Sequence, residues 1–233
     1  MQPVSKSELI AFMKKTGAYD VRVADPHRGF EHAIPERHPL RVMPSCKSVV
    51  VFIMPCPVWM NNTVLGLYAE VEKKTGRSLV GPIQRAAYSP HHAMHNLKGV
   101  SYASIWYQAA YYLSLRGYHV AEDYNPDPAV RAQTRPQDKL CAYEAGLGVY
   151  GRSGILLHPV LGNRFAPGVL MTDAMLEPDG KLEGFEPCKN CGACIKACPG
   201  KAHDPEKTYP ESFDNKKCHK YRGEISKENI YCH

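Results

Sequence analysis

Cys188-Lys-Asn-Cys191-Gly-Ala-Cys194-Ile-Lys-Ala-Cys198-Pro199 is the stretch on which the reading of this chain turns. A cubane of four irons needs thiolates that converge from a short piece of backbone. A spacing of two intervening residues lets one tight loop aim three of them at a single cluster. Gly192 and Ala193 are small enough to pack against such a cluster. Pro199 stops the local helix from running on and turns the chain away. A structural zinc site would show two separated C-x2-C pairs instead. The run therefore reads as [4Fe–4S] ligation by Cys188, Cys191, Cys194 and Cys198.

Six of the nine cysteines fall in the last 46 residues, the other two being Cys218 and Cys232, while Cys46, Cys56 and Cys141 are scattered. Clustering at one end argues for metal rather than for a disulfide scaffold. In two-cluster ferredoxins the fourth cysteine of such a run serves the other cluster. Cys188, Cys191 and Cys194 then form one set and Cys198, Cys218 and Cys232 a second, each one thiolate short. Three resolutions stay open. The chain continues beyond Cys232-His233, where a second run would be starting; or His219, His233, Cys46, Cys56 or Cys141 fills the gaps; or there is a single cluster, with Cys198, Cys218 and Cys232 competing for its fourth position. The first, with two clusters, is the expectation.

Upstream of this tail the pattern changes. Residues 1–176 read as a mixed α/β (α+β) core and 177–233 as a Cys- and Pro-rich module too small to fold without a metal staple. Ser5-x-x-Glu8 is a capping-box pattern before the apolar Leu9, Ile10, Phe12 and Met13, with Gly17 closing the helix. Ser48 to Met54 is continuously apolar and β-branched, the mark of a strand buried on both faces, and Pro55-Cys-Pro57 ends it. Ser101 to Arg116 has the period of a helix, with Ile105, Ala109, Tyr112, Leu113 and Arg116 on one side and Gly117 as its stop. Tyr118–Ala121, Gly154–His158 and Val169–Thr172 read as strands, with Pro159 and Gly162 marking the turn between the last two, and Asp123–Gln137 as a long loop.

Composition excludes little more. A net charge of +6 is spread among acids, and no zinc-finger or helix-turn-helix pattern accompanies it. Nucleic acid is therefore not the expected partner. No apolar run approaches a membrane span, and the N-terminus lacks the pattern of a secretory signal, so a cytoplasmic protein is expected.

Ala145-Gly-Leu-Gly-Val-Tyr-Gly-Arg-Ser-Gly-Ile-Leu-Leu-His158, continuing to Val169-Leu-Met-Thr-Asp173, resembles the segment AGLGxxGRxGxLxxPxxGxR…VxTD of the epoxyqueuosine reductases and reductive dehalogenases. In both families a ferredoxin-type cysteine run follows it. The resemblance implies a nitroreductase-like core sheet flanked by helices, a cobalamin held on it, and a small C-terminal ferredoxin-like module with two [4Fe–4S] clusters. It implies that Gly146, Gly148, Gly151, Arg152 and Gly154 line the corrinoid. Four glycines here let a backbone approach a large flat group. Gly146-x-Gly148-x-x-Gly151 also matches a dinucleotide fingerprint, but that pattern needs a helix after it and here a short strand follows. In epoxyqueuosine reductases an acidic proton donor precedes AGLG. Asp127 to Asp138 does not reproduce that motif, which argues against epoxyqueuosine as the substrate.

A corrinoid reductase must deliver protons as well as electrons. Tyr150, inside the glycine segment, and Tyr107, one turn from Tyr111 on a separate helix face, are the candidates. His91-His92-x-x-His95 reads as a surface helix start rather than as a metal site. The leading expectation is an oxidoreductase that passes electrons through [4Fe–4S] clusters to a cofactor, a corrinoid, which reduces a small molecule. Its electron donor would be a ferredoxin or flavodoxin. The alternatives are a non-catalytic electron carrier or maturation partner, and a flavin (FMN) reductase on the same core.

Overall fold

The computed structural model describes residues 2–56, 74–75, 90–121, 136–207 and 211–226. Cys232, His233, the side chains of His91, His92 and His95, and most of the loop expected at Asp123–Gln137 lie outside the described residues.

Helix α1 (Lys6–Lys15) starts where the capping box places it. The Ser5 hydroxyl accepts the Glu8 N–H, and the Glu8 carboxylate accepts the Ser5 N–H. Strand β1 (Asp20–Ala24) follows, then a short helix α2 (Pro39–Val42) and strand β2 (Ser48–Pro55). Helix α3 (Pro90–Ser114) leads to β3 (Val120–Ala121). Helix α4 (Asp138–Glu144) precedes a hairpin of β4 (Val149–Tyr150) and β5 (Leu156–Leu157), and β6 (Phe165–Thr172) completes the core. The tail carries α5 (Ala193–Ala197) and α6 (Asn215–Ser226).

The main sheet has the order β1-β2-β6-β3, and each of its neighbouring pairs is antiparallel. This is the α+β arrangement. Ser48 faces Thr172 and Pro55 faces Phe165, so β2 and β6 pair along their full lengths. Both faces of β2 are covered, as its unbroken apolar run requires. Val50, Phe52 and Met54 pack with Leu9 and Met13 of α1 and with Ile105, Ala109 and Leu113 of α3. Val49, Val51 and Ile53 pack with Leu140, Cys141 and Ala142 of α4 and with Leu147 and Leu156. Burying each such side chain contributes about 1.5–3 kcal/mol.

Three expectations are revised. Helix α3 begins at Pro90, eleven residues ahead of the predicted start. The strand expected at Tyr118–Ala121 is confined to Val120 and Ala121. The strands expected at Gly154–His158 and Val169–Thr172 are not partners: Leu156–Leu157 pairs back onto β4, and the second strand extends to Phe165 and crosses the main sheet between β2 and β3. Among the described residues no helix is long and apolar enough to cross a membrane.

Candidate functional site

The glycine segment is the seam between the core and the cysteine tail. Helix α4 ends at Glu144, and Gly146 takes a left-handed φ of +76° to release the chain into the hairpin. A Cβ on Gly146 would run into the carbonyl of Gly180, at the start of the tail. A Cβ on Gly148 would lie 2.5 Å from the Leu157 carbonyl oxygen on the facing strand. These two glycines are required first by the packing of the chain on itself. Gly154 lies in the turn of the hairpin, its N–H bonded to the Gly151 carbonyl at 2.9 Å.

The hairpin tip, residues 151–155, is held from the tail side. A Cβ on Gly151 would stand 3.4 Å from Cys188 Sγ. Arg152 Nη1 donates to the Pro205 carbonyl at 3.2 Å, and the buried Ser212 hydroxyl donates to the Arg152 carbonyl at 2.9 Å. The guanidinium proposed for a cofactor is thus engaged within the protein.

The lead-in to the tail is fixed as firmly. Leu176 is buried in the core, its N–H bonded to the Ser48 hydroxyl at 2.9 Å. Asp179 pairs with the free edge of β1: its carboxylate accepts the Val23 N–H and its own N–H donates to the Val23 carbonyl, both at 2.8 Å. Lys6 Nζ lies 2.7 Å from the same carboxylate. Lys181 Nζ meets the buried Glu144 carboxylate at 3.1 Å. Burial works against the Lys181 charge, but the Glu144 carboxylate outweighs it and holds the ammonium above its ordinary range. The sequence reading missed Glu144, Asp179, Lys181 and Ser212, because their partners lie tens to more than a hundred residues away and leave no periodic trace. Glu144, Asp179 and Lys181 border a cleft of about 370 Å³ with Arg28 and Glu31, and residues 146–154 line neither it nor the cleft of about 420 Å³ beside Gly17.

The cysteines occupy a loop and two helices. Cys188 and Cys191 bracket a turn, with the Cys191 N–H directed at the Cys188 carbonyl (3.4 Å). Gly192, at φ +69°, caps α5, which carries Cys194. Cys198 follows α5, and its sulfur accepts the Ala202 N–H at 3.4 Å. Gly200 packs on α6 beside Tyr221, and α6 carries Cys218. All five are free thiols and none is fully buried. Among the described residues, however, no three His, Cys, Asp or Glu side chains are gathered closely enough to hold a metal ion. The donor set fits an iron–sulfur cluster in its chemistry: thiols close in sequence and not fully buried, one already accepting a backbone N–H. Cys46 and Cys141 differ. They are core residues, and burial pushes the Cys46 thiol up to about 11. That keeps it from serving as a thiolate.

Tyr107 and Tyr150 are not brought together. Tyr150 packs on Tyr143 against the α4 side of the sheet. Helix α3 lies on the other side, and Tyr107 stands on its outer surface, 65% exposed and stacked on Tyr111.

The chain is similar to reductases of two families. The chain is 36% identical over 84 residues to an epoxyqueuosine reductase of Leadbetterella byssophila, a match covering 36% of this chain and 26% of that one. It is 34% identical over 118 residues to a tetrachloroethene reductive dehalogenase of Desulfitobacterium hafniense, covering 48% and 20% respectively. Among solved structures, epoxyqueuosine reductase with an epoxyqueuosine-modified tRNA-Tyr stem loop aligns at a TM-score of 0.52 and 18% identity, over 84% of this chain and 52% of that one. A reductive dehalogenase whose structure suggests a mechanism for B12-dependent dehalogenation aligns at 0.56 and 21%, over 92% and 28%. At those identities the likeness is one of fold. No family model matches the chain. The chain spans about half the length of the epoxyqueuosine reductase structure, and the curated matches cover about a quarter or less of each relative.

Proposed function

We propose that this chain is the cofactor-binding core and cluster-binding tail of an oxidoreductase, in which [4Fe–4S] clusters feed electrons to a corrinoid that reduces a substrate. The observation that carries the reading is the closeness of the glycine hairpin to the cysteine loop, where a Cβ on Gly151 would stand 3.4 Å from Cys188 Sγ. The cofactor segment and the cluster segment are adjacent in space although 37 residues apart in sequence, as short-range electron transfer requires. A cluster on the tail supplies one-electron steps, and a corrinoid supplies low-valent cobalt as the reductant.

Cys188, Cys191 and Cys194 are the ligands of one cluster, and Cys198, Cys218 and Cys232 belong to a second. The tail thus takes the role of a ferredoxin-like module, fed by a ferredoxin or flavodoxin. In the glycine segment, Gly146 and Gly148 shape the backbone ahead of the hairpin, which leaves Tyr150 and Gly154 as the residues to meet the cofactor. Tyr150 is the better proton donor of the two tyrosines, because Tyr107 lies across the sheet from the hairpin. A small organic substrate fits the dehalogenase resemblance. The modified RNA base bound by the epoxyqueuosine reductase is the other substrate class.

Titration of cobalamin into cluster-loaded protein tests this. A shift of the cobalt absorption bands on binding is expected. Binding of FMN instead would transfer the core to a flavin reductase, and binding of neither would leave an electron carrier.

A further inference from the structure

Gly151 is a glycine for want of space rather than for backbone freedom. It is absent from the residues with left-handed φ, unlike Gly146 and Gly154. A Cβ there would meet three groups: Leu157 Cδ1 at 3.0 Å, the Ile155 carbonyl oxygen at 3.3 Å and Cys188 Sγ at 3.4 Å. The Ile155 carbonyl is already committed, since it accepts the Gly151 N–H at 2.8 Å and closes the hairpin turn. Leu157 is a side chain of the same hairpin. Cys188 alone comes from the tail.

The next residue is gripped by the tail twice more. The Arg152 side chain donates to Pro205, and the Arg152 carbonyl accepts from Ser212, which is 1% exposed. Three separate points of the tail therefore converge on two consecutive residues of the core. A peripheral contact would not need a buried hydroxyl to fasten it.

We propose that the hairpin tip is the seat that fixes the first cluster relative to the core, with Gly151 as a positioning residue that admits the Cys188 sulfur. This rests on the reading that the cysteine run holds a cluster. The packing and hydrogen bonding around a ligand sulfur tune a cluster's potential and electronic structure. A methyl group at position 151 would stand 3.4 Å from that sulfur, at the near edge of ordinary contact, and needs no left-handed φ.

The test is Gly151→Ala in the full chain, reconstituted anaerobically with iron and sulfide. The variant is expected to bind as much iron as the parent, while the electron paramagnetic resonance g values and midpoint potential of its reduced cluster shift. Gly151→Ala/Leu157→Val removes the crowding against the Leu157 side chain but not that on Cys188, so the shift should persist. Ser212→Ala loosens the same seat without adding atoms and is expected to broaden the signal. Unchanged spectra in Gly151→Ala and Ser212→Ala at full iron content would overturn the inference and leave the proposed function standing. Loss of the shift in the double variant would assign the effect to hairpin packing and overturn it too. A parent chain that binds no cluster would remove both.

Discussion

Glycine at position 148 shows why residue type alone gave only half of the site. The motif marks the position, and a resemblance assigns it to a cofactor, but the structure supplies a nearer reason in the Leu157 carbonyl. Gly148→Ala places a methyl against backbone that cannot swing aside. It should cost about 1–3 kcal/mol, the range for overpacking, read as a lowered urea midpoint. Gly148→Val would for the same reason report on folding before cofactor binding. His158 is a second residue whose role is internal. It is buried, and its Nδ1 accepts the N–H groups of Val160 (3.1 Å) and Leu161 (3.2 Å). Burial lowers its pKa, with nearby Asp20 working the other way and Arg22 adding to the fall. The unfolded chain therefore takes up a proton before the folded one does. The stability linked to His158 is present above about pH 6.5, the ordinary histidine value, and is lost as pH falls through the lower folded value. His158→Asn keeps an acceptor and removes the titration, so thermal melts of this variant should fall less steeply between about pH 7 and 5.

At the scale of elements, what could be read from sequence was local. The Ser5/Glu8 capping box, the continuous apolar run of β2 and the inner stripe Ile105, Ala109 and Leu113 are each encoded within a few residues, and each stands as expected. Ser5→Ala should lower stability by about 1 kcal/mol by freeing the Glu8 N–H, measured by denaturant unfolding. Strand β1 escaped notice because the alternation of Asp20 and Arg22 with the buried Val21 and Val23, ending at the buried Ala24, runs for only five residues. The hairpin of β4 and β5 has two residues per strand, too few to show a period. Asp179 clamping Val23, and Glu144 meeting Lys181, join residues 156 and 37 positions apart, which no local pattern could announce. The cysteine spacing was legible, since spacing is itself local. The element it docks on was legible only as a resemblance.

Across the whole molecule, a sheet covered on both faces carries a tail with little core of its own. Few of its described residues are buried, Ala202 and Ser212 among them. The tail is instead tied at its root by Asp179 and Lys181 and at its body by the hairpin tip. Among the described residues its thiols are grouped in sequence but not gathered in space, so metal binding would complete their arrangement, as in small domains whose binding energy is folding energy. The measurement that bears most directly on this account is iron and acid-labile sulfide analysis of the anaerobically reconstituted chain, with electron paramagnetic resonance of the dithionite-reduced sample. The account predicts about four irons and four sulfides for each cluster, a reduced-cluster signal, and loss of that signal in Cys191→Ser. Zinc without sulfide, or iron content unaffected by Cys191→Ser, would contradict it.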